Sequence, residues 1–92
     1  MIASLRGRLT DRGAGHCVLE AGGVGYLVSV STFTASAIPA TGQEAFLLVR
    51  QIVREDALML FGFSSPDELR LFDLLVSVSG VGPKLAMAVL SG

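Results

Sequence analysis

The sequence predicts a small five-stranded β-barrel followed by an all-α segment, and three features carry that expectation. Residues 1–63 break into five short apolar runs separated by turn signals. The pattern changes at Ser64-Ser65-Pro66-Asp67-Glu68, where residues that start helices cluster. Beyond it, Gly80-Val81-Gly82-Pro83 interrupts two stretches whose apolar residues recur at helical spacing.

The predicted strands cover residues 2–10, 17–21, 26–30, 45–52 and 58–63, all rich in the β-branched, aromatic and leucine side chains that suit a half-buried pleated surface. Asp11-Arg12-Gly13-Ala14-Gly15, Gly22-Gly23-Val24-Gly25, Pro39-Ala40-Thr41-Gly42 and Arg54-Glu55-Asp56 are the expected connections. The Gly22 turn lacks the Lys-Ser/Thr ending and the helix that nucleotide cradling requires, so it is a strand connection. Five short strands in about sixty residues suggest closure into a barrel.

Ser65 is placed to cap a helix, Pro66 suits its first position, and Glu68 completes a capping box. Leu69, Phe72, Leu75 and Val76 then give one apolar face, while Asp67 and Glu68 complement the positive helix start. This helix is expected to stop around residues 77–79, and Pro83 to open a second helix through Leu90. Small Ala86 allows close packing of the pair, with Val78, Val81 and Val89 filling between them. The expected division is therefore a barrel over residues 1–63 and a helical segment over 64–92, with Gly92 acting as a cap that leads the chain onward.

Composition narrows the function classes. With 51% hydrophobic residues and no apolar run long enough to span a bilayer, the chain is expected to be a soluble globular unit with no membrane partner. A chain of 92 residues has a modest core, to which neighbouring subunits would add buried area. The first residues lack the basic region and sustained apolar stretch of a secretory signal, which points to the cytoplasm. Cys17 is the one cysteine and is expected to be a small buried hydrophobe. Neither it nor His16 has a spaced partner for a metal site, and His16 is expected at a surface or strand edge without catalytic company. No cofactor is implied. Seven basic against eight acidic side chains give a net charge of −1, so any nucleic-acid binding must depend on where charges face.

Residues 75–90, running Leu-Val-Ser-Val-Ser-Gly-Val-Gly-Pro-Lys-Leu-Ala-Met-Ala-Val-Leu, resemble the helix-hairpin-helix motif of DNA-binding and repair proteins. Gly80 and Gly82 permit unusual dihedrals and close approach of a phosphate, and free amides at the second helix start form an anion site. Lys84, in the first turn, adds a charge-assisted contact. Such contacts position a duplex without reading its bases. The second constellation, Val53-Arg54-Glu55-Asp56-Ala57, places adjacent carboxylates on an exposed hairpin tip, where they point different ways and make a poor catalytic pair.

Over essentially its whole length the chain resembles the RuvA family. The resemblance rests on Met1-Ile2, Leu5-Arg6-Gly7, Gly22-Gly23-Val24-Gly25-Tyr26, Gly42-Gln43-Glu44-Ala45, Val53-Arg54-Glu55-Asp56, Leu60-Phe61-Gly62-Phe63 and Gly80-Val81-Gly82-Pro83-Lys84-Leu85-Ala86. It implies an oligonucleotide-binding-type (OB-fold) barrel, then tandem helix-hairpin-helix motifs of which this chain holds the first. It also implies a tetramer on an open four-way (Holliday) junction, serving branch migration by the ATP-driven RuvB motor in recombination and repair, with RuvC resolvase as a further partner. Ser79, Gly80, Gly82 and Lys84 become phosphate contacts, with Arg54 beside them. Glu55 and Asp56 become an acidic pin that repels strands at the crossover. The motor contact falls to a region absent here, and the chain itself carries no catalytic residues.

Three rival readings compete. A generic single-strand-binding barrel needs exposed aromatic platforms, yet Tyr26, Phe33, Phe46, Phe61, Phe63 and Phe72 sit mostly in apolar patterns that suggest core. A helix-hairpin-helix nuclease or glycosylase needs catalytic residues that the sequence does not offer. A bare oligomerisation scaffold would show no preference among DNA shapes.

Overall fold

The computed structural model describes residues 1–92. Five strands form a closed barrel in the order β1-β2-β3-β5-β4, with β1 pairing β4 to complete it. They are β1 (Ser4–Gly13), β2 (His16–Ala21), β3 (Val24–Val30), β4 (Glu44–Arg54) and β5 (Ala57–Phe63). Every pairing is antiparallel except that of β3 with β5. The OB-type barrel implied by the resemblance is therefore present, with each strand slightly longer than its apolar run.

The alternation along β4 explains the layering. Ala45, Leu47 and Val49 point inward and meet Leu5, Leu9, Cys17, Leu19, Val28 and Leu60 in the barrel core. Leu48 and Ile52 point outward, where the helical segment covers them. Cys17 is fully buried, and burial pushes its thiol pKa up against the lowering influence of Arg12.

Two helices expected from the sequence are present: α2 (Pro66–Val76) and α3 (Pro83–Ser91). They lie against the outside of the barrel on a second core of Phe61, Phe63, Phe72, Ala86 and Met87. Phe72 sits between the other two rings, with centroids 5.4 Å from Phe61 and 5.0 Å from Phe63. Burying such a ring stabilises the fold by about 1.5–3 kcal/mol. Leu69, Leu75 and Val76 pack beside it, as their spacing requires.

A further helix, α1 (Thr32–Ala37), was not expected from the sequence. Its six residues are too few to show a helical period, and two of them are threonines. A local cap closes its first end and a tertiary partner its last. Ser31 Oγ accepts from the Thr34 amide at 3.1 Å, and Arg12 donates to the carbonyls of Ala35 at 2.6 Å and Pro39 at 2.8 Å. Arg12 reaches them because β1 runs on to Gly13, through what the sequence suggests is already a turn.

Several side chains depart from expectation. Phe33 and Phe46 are surface residues, 55% and 45% exposed, and Arg6 lies over the Phe46 ring at 4.9 Å. Val78 and Val89 also face outward, so Ala86 and Met87 make the α3 contact to the barrel. Glu68 does not reach back to the cap of α2. Ser65 Oγ accepts from the Asp67 and Glu68 amides as expected, but the Glu68 side chain is buried and accepts from Ser31 Oγ and, at 2.5 Å, from Thr34 Oγ1.

Candidate nucleic-acid interface

The β4–β5 ladder is paired up to Arg54 opposite Ala57, leaving Glu55 and Asp56 as a two-residue tip. The pair and its flanking residues Arg54 and Ala57 are exposed. No non-glycine residue of the chain has positive φ, so the tip turns without the left-handed conformations that favour Asn-Gly hairpins. The tip therefore carries both carboxylates beyond the last paired residues of the ladder.

Opposite this tip lies the turn between α2 and α3. Gly80 has φ of +87°, a conformation that side-chain-bearing residues rarely adopt. Gly82 is the extended N-cap of α3, without a side chain to cap it, and Pro83 contributes no N–H. The first amide of α3 bonded within the helix is Ala86, donating to Gly82 at 3.0 Å. The Lys84 and Leu85 amides have no acceptor and stand at the positive end of the helix.

Charge placement gives this corner a character that net charge conceals. Arg6, Arg8, Arg50 and Arg70 are paired with Glu44, Glu20, Asp73 and Asp67, while Arg12 is occupied by backbone carbonyls. Arg54 and Lys84 are the two basic side chains without a protein partner. Both line a single open cleft of about 400 Å³, together with Asp56, Ala57, Met59, Gly82, Pro83 and Leu85. The fold thus brings Arg54, Asp56, Gly82 and Lys84 to one place from two segments distant in sequence. Ser79 and Gly80 are exposed on the adjoining turn, and Glu55 on the tip, outside the cleft wall.

Three attachments hold α2 on the rest of the fold, and only the apolar one was legible beforehand. The Phe61, Phe63 and Phe72 cluster joins β5 to α2. Arg50 on β4 makes a two-pronged pair with Asp73 on α2, at 2.9 Å and 2.7 Å, which raises the Arg50 pKa through that hydrogen bond. Both partners are partly exposed, so the pair stabilises by about 0.5–1 kcal/mol. Glu68 ties α2 to Ser31 and Thr34, and Thr34 Oγ1 also accepts from the Ser64 amide at 3.1 Å. In the sequence, nothing marks Arg50 and Asp73 as partners, and Glu68 carried the signature of a local cap.

Two further groups take the places their patterns suggested. His16 begins β2 with its ring against Gly13, and Gly22 and Gly23 form the β2–β3 turn at φ of +60° and +83°. No helix is long and apolar enough to cross a membrane.

The family model described as RuvA N terminal domain matches residues 1–62. The Holliday junction branch migration complex subunit RuvA of Acidobacterium capsulatum is 51% identical over 92 residues, covering 100% of this chain and 46% of that protein. The proteins of the same name from Chloroflexus aurantiacus and Rubrobacter xylanophilus are 50% and 48% identical over 91 residues, covering 47% and 46% of their own lengths. The chain spans about half the length of these relatives.

Proposed function

Since the chain belongs to the RuvA family, we propose that it is the junction-recognising part of a structure-specific DNA-binding subunit in recombination and repair. The observation that carries this reading is the convergence of the two unpartnered cations, Arg54 and Lys84, with an acidic hairpin tip in one cleft. Residues 64–92 act as a helix-hairpin-helix on a separate barrel domain of residues 1–63. Gly80 and Gly82 let a phosphate approach, the Lys84 and Leu85 amides and the Lys84 ammonium bind it, and Ser79 and Arg54 contact the same backbone. Glu55 and Asp56 act by repulsion, each carboxylate beside a phosphate costing on the order of 1 kcal/mol in water. Continuous duplex crossing the tip meets that cost, whereas the open centre of a four-way junction avoids it.

In this reading the subunit works as a homotetramer in the cytoplasm, holding the junction open for the RuvB motor and for RuvC resolvase. It performs no chemistry of its own, and the motor supplies the energy.

Competition between an immobile four-way junction and linear duplex of equal length, at two salt concentrations, tests the proposal. Junction preference is expected, with affinity falling steeply as salt rises; equal binding of both shapes would leave only a generic OB-type module or a scaffold. Lys84→Ala is expected to lower the slope of log affinity against log salt by about one unit. Neutralising the tip with Glu55→Gln and Asp56→Asn is expected to raise linear-duplex affinity on the order of 10- to 30-fold at low salt, because two repulsive terms are removed. Gel-shift titration reads both changes.

A further inference from the structure

The cleft between the hairpin tip and α3 has a wall that phosphate binding does not use. Ala57, Met59, Pro83 and Leu85 line it, Leu85 is 52% exposed, and Met59 is partly buried. At about 400 Å³ the space falls at the small end of the range occupied by organic ligands. Its polar groups are distributed unevenly in kind: two free cations and free amides, which attract phosphate, and one unpaired carboxylate, Asp56, which repels it.

We infer that this cleft holds one unstacked nucleotide of the DNA, with its phosphate at Lys84 and Arg54 and its base against Met59 and Leu85. A thioether and a branched aliphatic side chain give the flat face of a base an apolar surface to replace the stacking it loses. Asp56 then accepts a hydrogen bond from an exocyclic amino group, as carboxylates do from cytosine N4. The cations and free amides take the phosphate, which leaves the carboxylate to the base. The acidic tip therefore has an attractive role toward unpaired bases beside its repulsive role toward backbone. This deepens the DNA-binding reading above and rests on it.

The test compares two single-stranded hexanucleotides of identical charge, one with a central cytosine and one with a central abasic site, titrated into the 92-residue chain at low salt by NMR. Equal phosphate number cancels the electrostatic contribution. The cytosine form is expected to bind about threefold to fivefold tighter, the effect of one thioether–ring contact of roughly 0.6–1 kcal/mol. Amide shifts should centre on residues 56–59 and 82–85. Leu85→Ser, at an exposed position that leaves the fold intact, should bring the two affinities together. Asp56→Asn should erase preference for cytosine over thymine at the central position. Equal affinity of the cytosine and abasic forms for the unaltered chain overturns the inference, as does the absence of saturable binding to the cytosine form. The junction-against-duplex competition separates this from failure of the function itself: junction preference with no base effect removes the nucleotide cleft alone.

Discussion

Gly7→Ala is expected to destabilise the protein by about 3 kcal/mol or more, a drop in Tm of roughly 12–24 °C for a domain of this size. A Cβ at residue 7 would stand 2.1 Å from the Glu20 carbonyl oxygen and 2.8 Å from its carbon. Both are backbone atoms of β2, so no side-chain rotation relieves the overlap. Relief requires β1 to move off β2, and β1 is held on its other side by β4, where Gly7 is opposite Ala45. Closure of the barrel transmits the displacement around the ring, whereas an open sheet could splay at one edge. Thermal unfolding followed by circular dichroism measures the loss. A variant melting within a few degrees of the parent would mean that the two strands do not approach as described.

Removal of the Glu68 carboxylate is expected to cost a similar amount by a different route. Glu68→Ala leaves the buried Ser31 hydroxyl donor without its acceptor, leaves the Thr34 hydroxyl only the longer contact to Ser64 Oγ at 3.3 Å, and opens a void beside α2. The unmet buried donor and lost packing together amount to about 3 kcal/mol. Glu68→Gln should lose clearly less, because the amide oxygen still accepts one hydroxyl and a rotated hydroxyl can accept from the amide nitrogen. Denaturant unfolding of the two variants separates the explanations. Equal stability of Glu68→Ala and the parent would show that the buried network contributes nothing. Equal losses in both variants would assign the effect to charge, not to hydrogen-bond number.

These two sites also show where sequence reasoning reaches its end. Glu68 occupies a position that satisfies a local capping rule, and the rule predicts a local partner. The fold supplies better partners from 34 and 37 residues away. Phe46 illustrates the same point in a strand: alternation correctly places Ala45 and Leu47 on one face, but not whether the other face is covered. Helices cover Leu48 and Ile52, while Phe46, nearer the start of the strand, lies under Arg6 and stays 45% exposed. The Val89 expectation failed for a related reason, since α3 has two apolar stripes and only one faces the barrel, while Val78 lies on the turn beyond α2 and is exposed there.

By itself the sequence determined the five strands, the switch to helix at Ser65-Pro66, the glycine turn before Pro83, and the identities of the candidate contacts. Those features are local, encoded in periods of two and of about 3.6 residues and in the backbone freedom of glycine and proline. Tertiary structure alone decided that Arg54 and Lys84 stand unpartnered in one cleft with Asp56. That outcome depends on Arg50 meeting Asp73 and Glu68 meeting Ser31 and Thr34, across separations of 23 to 37 residues. Pairings at such distances are chosen by the packing of whole elements, and no short-range pattern carries them.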